Sequence, residues 1–197
     1  QRAVEGRSNQ VVIEEICTSE KVPVINVDEW FFKAKNTSLY PLLPKYGAHW
    51  STYGAALVCD SLSELLSSVY PQKVITKIGK IEASDKARFT DGDYLPSMNL
   101  IKKWDWDTLL GYPSMIYLPG EKLKTLVVSD SYMWNMFQND FFQQNLDPSS
   151  SFLYYNKAYY NINKERVKEK VDLLKFKDLE KFDVLIVIGT GPSFKGG

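Results

Sequence analysis

Lys124-Thr125-Leu126-Val127-Val128-Ser129-Asp130-Ser131-Tyr132 is the stretch from which the rest of the chain can be read. Thr125 to Val128 form a short apolar run without polar alternation, the pattern of a strand buried on both faces. Ser129, Asp130 and Ser131 end it with small polar side chains that suit a tight turn or a helix cap. From Met133 to Asn145 the pattern becomes helical, with Trp134, Phe137, Phe141 and Phe142. Strand, turn and helix in direct succession predict one unit of an α/β fold.

Downstream, Phe152-Leu153-Tyr154-Tyr155 predicts a second strand and Lys164 to Lys175 a charged helix. Asp183 to Ile188 predicts a strongly apolar strand that runs into Gly189-Thr190-Gly191. Upstream, residues 8–19 read as a helix and Lys21 to Val27 as a short buried strand. Asp28 then caps the next helix at that strand's carboxyl end. Ala55 to Tyr70 is helical by spacing, Val74 to Glu82 alternates as a strand, and Asp85 to Asn99 is loop-rich. Trp104, Trp106, Tyr112 and Tyr117 crowd a segment that reads equally as a lid, an extended arm or a second small sheet. Strands alternating with helices, in continuous apolar runs, predict an α/β protein: three layers, α/β/α, around a mainly parallel sheet.

Length and composition narrow the functional classes. A chain of 197 residues, with 44% hydrophobic and 24% charged residues, fits a single domain over 1–197 that buries a real core. Lys plus Arg and Asp plus Glu both number 24, so no net field favours nucleic acid or an anionic membrane. Two cysteines, Cys17 and Cys59, and one histidine leave no set of ligands for structural zinc, and no metal or cofactor is expected. No run reaches the ~18 apolar residues of a membrane span. The absence of an initiator Met suggests a processed or trimmed piece of a longer protein.

Ligands of parallel α/β folds bind at the carboxyl ends of strands. Ser131, Asn156, Thr190 and Asp28 all fall at such ends in this reading. A serine at a strand-to-helix turn presents its hydroxyl above the sheet, beside backbone N–H groups able to hold an oxyanion. It needs a base, and the one imidazole is His49, in Gly47-Ala48-His49-Trp50-Ser51 just before a helix. Taken singly, His49 reads as a structural histidine and Asp-Ser at a strand end as a cap.

Gly47-Ala-His-Trp-Ser-Thr-Tyr-Gly54, followed far downstream by Val127-Val-Ser-Asp-Ser-Tyr132, resembles the alginate O-acetyltransferase-like branch of the SGNH hydrolase superfamily. The resemblance runs from about Val22 to the C-terminus. That branch carries an Asp-x-His-Trp motif before a Gly-Asp-Ser-Phe-type nucleophile motif. The resemblance implies a flavodoxin-like SGNH fold with Ser131 as nucleophile and His49 as general base. It also implies Asn156 and Thr190 as oxyanion or substrate-binding donors, with Trp50 beside them. Two positions depart from the pattern: Gly47 stands where the acid is expected, and Ser129 where a glycine is. Asp28, Asp91 or Asp93 could supply the missing carboxylate, or a backbone carbonyl could serve; Asp130, adjacent to Ser131, is expected to bond locally and brace the turn.

The implied activity is a serine-dependent O-acetyltransferase or acetylesterase acting on a cell-envelope or secreted polysaccharide through an acyl-enzyme. An extracytoplasmic location, a polysaccharide substrate and a membrane-bound acyltransferase partner follow from the same resemblance, with no role for nucleic acid. Trp104 and Trp106, flanked by charges, are the aromatic candidates for stacking on a glycan. The rival reading, favoured by Gly47, is an inactive glycan-binding or scaffold domain. A flavin- or nucleotide-binding role is weaker, because Gly189-Thr190-Gly191 lacks the full phosphate-binding fingerprint.

Overall fold

A computed structural model describes residues 9–98, 108–154, 158–168 and 176–190. The chain opens with helix α1 (Asn9–Ser19), which buries none of its residues, and helix α2 (Val27–Ala34). Between them no strand forms. Asn26 Oδ1 accepts the Glu29 N–H at 2.9 Å, so the residues read as the end of a strand become the cap and first turn of α2. Val22 and Val24 stay exposed, and Asp28 lies in that first turn rather than at a strand's carboxyl end.

Helix α3 (Thr52–Val69) starts where Ser51 Oγ accepts the Gly54 N–H at 2.9 Å. It buries Ala55, Ala56, Cys59, Leu62 and Leu66, a continuous stripe at helical spacing. Strand β1 (Ile75–Ser84) follows, and after a connection containing two 3₁₀ turns, Phe89–Gly92 and Leu95–Met98, it pairs antiparallel with β2 (Leu110–Leu118). Of the three readings of the Tyr112–Tyr117 region, the second small sheet is the one observed; Trp104 and Trp106 lie outside the described residues.

The main sheet is built on β3 (Thr125–Ser129), followed by α4 (Met133–Gln138), α5 (Phe141–Asn145), β4 (Ser151–Tyr154), β5 (Ala158–Tyr160), β6 (Arg166–Lys168), α6 (Phe176–Leu179) and β7 (Val184–Ile188). Strand order is β6-β5-β4-β3-β7. β4 and β7 flank β3 in parallel, whereas β5 and β6 add on antiparallel, so the sheet is mixed rather than mainly parallel. The charged helix expected from Lys164 is replaced, up to Lys168, by a hairpin arm. Asn161 Oδ1 accepts the N–H groups of Asn163 and Glu165, and Lys164 takes a positive φ of 66°, which reverses the chain.

The helix expected from Met133 to Asn145 is broken in two at Asp140, whose φ is 54°. The break lets Phe137, Phe141 and Phe142 all face Phe152 or each other, with ring centroids 4.8–5.7 Å apart. This aromatic cluster is continuous with Val127 and Ile186 of the sheet and with the buried stripe of α3. On the opposite face of the sheet Leu126 and Leu153 are buried, but Leu185 and Val187 on edge strand β7 are 53% and 56% exposed. Among the described residues, this edge of the sheet lacks the cover on both faces expected of a three-layer fold. Cys17 and Cys59 are free thiols, Cys59 fully buried.

Candidate active site

Ser131 sits in the turn between β3 and α4, and that turn is braced by its neighbour. Asp130 Oδ1 accepts the Tyr132 N–H at 3.0 Å. Its Oδ2 accepts the Thr190 N–H at 2.9 Å and the Thr190 hydroxyl at 3.2 Å, tying the end of β3 to the end of β7. The carboxylate is thus used in fastening two strand ends, which fixes where the next side chain points. The Ser131 N–H meets no acceptor among the described residues.

The imidazole arrives from the loop before α3. Ser51 N–H donates to Leu42 O at 2.9 Å, and Trp50 is buried, its ring 4.7 Å from that of Tyr132 and 6.4 Å from that of Phe31. The Tyr132 ring also meets His49 edge-on at 5.2 Å, and its hydroxyl donates to Ala48 O at 3.2 Å. Burying Trp50 and wedging Tyr132 beside it leave His49 at the rim, facing Ser131.

A third segment, the connection between β1 and β2, brings Asp93. Its Oδ1 accepts the Ala48 N–H at 3.1 Å, and its Oδ2 lies 3.2 Å from His49 Nδ1. His49 Nε2 lies 2.8 Å from Ser131 Oγ. A carboxylate can only accept, so the proton on the imidazole sits at Nδ1 and Nε2 carries the lone pair. That lone pair faces the serine hydroxyl, the arrangement in which the ring can take its proton. Solvent still reaches the pair, with the His49 side chain 18% and Asp93 30% exposed.

Position 47 explains why the acid comes from elsewhere. A Cβ there would lie 2.6 Å from Thr90 O and 2.6 Å from Pro44 Cγ. The backbone of the 89–92 turn packs directly on Gly47, and that same turn leads to Asp93.

The remaining candidates are placed as follows. Asp28, on α2, is not among the polar partners of His49, which are Asp93 and Ser131. Asp91 is buried two residues before Asp93 but turns the other way, its Oδ1 accepting the Thr52 N–H at 2.8 Å. Burial pushes its carboxyl above the usual range, and nearby Asp93 adds to the effect. Thr190 directs both its N–H and its hydroxyl to Asp130, and Trp50 belongs to the core. Asn156 lies outside the described residues. No group of three or more His, Cys, Asp or Glu side chains among the described residues is disposed to hold a metal ion.

No family model and no curated protein matches this chain. Solved structures similar to it include the following two. One is the O-acetyltransferase domain of Pseudomonas putida AlgJ, 16% identical with a TM-score of 0.48 over 95% of this chain and 66% of that one. The other is Pseudomonas aeruginosa AlgX, 12% identical with a TM-score of 0.37 over 78% of this chain and 38% of that one. No helix among the described residues is long and apolar enough to cross a membrane.

Two residues that matter to the geometry escape a reading of the sequence. Tyr132 clamps His49 from the side, and Asn135 Nδ2 donates to Trp50 O at 3.1 Å and to Thr90 Oγ1 at 2.7 Å, linking all three segments beneath the site. The signal for Asn135 was present: a single amide in the apolar run Met133 to Phe137 needs a buried partner. A cleft of about 370 Å³ lies nearby, lined by Thr52, Arg88, Tyr112, Tyr117, Gln138 and Asp140 among others, but neither Ser131 nor His49 lines it.

Proposed function

We propose that this chain is a serine-dependent O-acetyltransferase or acetylesterase that acts on a cell-envelope or secreted polysaccharide. The observation that carries the reading is the continuous relay from Asp93 through His49 to Ser131, with contacts of 3.2 and 2.8 Å. Ser131 Oγ attacks the acyl carbonyl while its proton passes to His49 Nε2; Asp93 stabilises the resulting imidazolium. The tetrahedral oxyanion takes the Ser131 N–H as one donor. His49 returns the proton to the departing oxygen or sulfur, leaving an acetyl-serine. A sugar hydroxyl or water then gives its proton to His49 and attacks the ester; His49 passes that proton to Ser131 Oγ as the acyl–oxygen bond breaks, which frees the serine and carries the acetyl group to the sugar or to acetate.

Chemistry at a serine is supported by the geometry, while the acetyl group and the polysaccharide rest on the resemblance of the His-Trp and Asp-Ser motifs and their order. The three-layer SGNH-type arrangement, the extracytoplasmic location and a membrane-bound acyltransferase partner belong to the same reading. The inactive-scaffold alternative rests on Gly47, and the contact of Asp93 with His49 Nδ1 favours the catalytic reading over it. A fluorophosphonate probe separates the two. Covalent mass on a Ser131 peptide, abolished in His49→Ala, together with acetate release from an acetylated polysaccharide, is expected. A wild-type chain that stays unlabelled across the neutral and mildly alkaline range would instead support the scaffold reading.

A further inference from the structure

The sequence Asp91-Gly92-Asp93 places two carboxylates on one short turn, and the structure gives them opposite surroundings. Asp93 is at the rim against His49; Asp91 is fully buried against the first turn of α3. Asp91 Oδ1 accepts the Thr52 N–H at 2.8 Å, three residues beyond His49, and Asp93 Oδ1 accepts the Ala48 N–H at 3.1 Å, one residue before it. The two carboxylates therefore grip the histidine loop from both sides. Asp91 Oδ2 has no partner in hydrogen-bonding geometry, and the hydroxyls of Thr52 and Tyr112 face it. Tyr112 OH accepts the Arg88 N–H at 2.8 Å and directs its own proton to Lys86 O, 3.1 Å away. Arg88, the nearby cation on this connection, pairs with Glu82.

We infer that Asp91 is a positioning residue that holds Asp93 against His49 by tying the 89–92 turn to the N-terminus of α3. This rests on the Ser131–His49–Asp93 reading for its consequence but not for its geometry. Only the accepting oxygen is required, so an amide in place of the acid keeps the tie. Removing the side chain cuts the tie to the N-terminus of α3 and leaves the turn on the Asn135–Thr90 bond, with Asp93 held by the Ala48 N–H and by the neighbouring bond from Tyr94 N–H to Tyr46 O.

The single histidine makes the test direct. With ¹⁵N-labelled His, the two ring nitrogens of wild type, Asp91→Asn, Asp91→Ala and Asp91→Ser report which one carries the proton, alongside thermal melting and the rate of fluorophosphonate labelling at Ser131. Asp91→Asn is expected to keep the Nδ1–H form and to label within about two-fold of wild type. Asp91→Ala and Asp91→Ser are expected to fold, to lose the strong preference for Nδ1–H, and to label at least tenfold more slowly. A wild-type ring signature and labelling rate in Asp91→Ala overturns the inference. So does an Asp91→Asn ring that resembles Asp91→Ala, or failure of both truncations to fold, since Asp91 would then serve the fold rather than the pair. If wild type itself never labels, the catalytic reading falls while the ring signals still judge the tie.

Discussion

An imidazole that works through Nε2 is oriented by an acceptor at Nδ1, best a carboxylate, and the place in the chain from which that group comes does not affect the chemistry. Here it comes from 44 residues downstream of His49. Because Asp93 is 30% exposed, its contribution is smaller than that of a fully buried acid. Asp93→Asn should slow fluorophosphonate labelling of Ser131 by about 10²-fold, short of the roughly 10⁴ seen for a buried triad acid. Placing an acid two residues before the histidine should not help: in the double variant Gly47→Asp, Asp93→Asn the new Cβ meets Thr90 O at 2.6 Å, so labelling stays at the Asp93→Asn level and the melting temperature falls. Recovery of labelling in the double variant would show that the 89–92 turn yields more readily than its packing indicates. At this scale the pairing of Ser131 with His49 was legible because His49 is the one imidazole in the chain and the order of the two motifs is informative. The partner of His49 Nδ1 was not, because three aspartates satisfied the sequence equally and, among the described residues, Asp93 is the one the fold brings to the ring.

Helices and strands were legible where an apolar run had a partner waiting for it. Leu126 to Val128 lies between β4 and β7, and the stripe of α3 faces the aromatic cluster. Val22 to Val27 has the composition of a strand but none pairs with it, and the Asn26 cap starts a helix instead. Local turn chemistry likewise overrides charge periodicity after Asn161. The same dependence on close approach marks the first turn of α3, where a Cβ on Gly54 would lie 2.4 Å from Leu42 O. Gly54→Ala must push the start of α3 away from Leu42, at a cost of about 2 kcal/mol despite the better helix propensity of Ala. A melting temperature at or above wild type would show that the loop carrying His49 moves freely. At the entry to β1, burial of Lys73 lowers its ammonium from the ordinary 10.5 to about 8. The unfolded chain therefore binds more protons between these values, and stability from this group rises with pH across that window. Lys73→Met should stabilise the protein by about 1 kcal/mol at neutral pH, after allowance for screening. Paired urea titrations should show the gain shrinking as pH rises through 8 toward 10.5; a gain that is constant with pH would assign it to packing alone.

The whole molecule explains why an apparently peripheral two-stranded sheet matters: Asp91 and Asp93 lie on the connection between its strands, so the site is complete only when that sheet is docked on the body carrying Ser131. Docking is apolar and polar together. Ile81 of β1 and Met115 of β2 pack on the central cluster, and Thr76 of β1 is held in a buried set of bonds. Asn145 Nδ2 donates to Thr76 Oγ1 at 2.8 Å and to Phe141 O at 2.9 Å, while Thr76 N–H donates to Ser63 Oγ at 2.8 Å. Since one apolar cluster joins both parts, the two sheets should unfold together, with tryptophan fluorescence and far-ultraviolet dichroism giving the same urea midpoint. Asn145→Ala leaves the buried Thr76 hydroxyl and Phe141 carbonyl without this partner and should lower stability by about 2 kcal/mol. Its transition should stay single, with an unchanged dependence on urea, because the variant weakens the joint without separating it. Two transitions in Asn145→Ala, the first accompanied by loss of Ser131 labelling, would mean that the small sheet undocks on its own and that the acid departs with it.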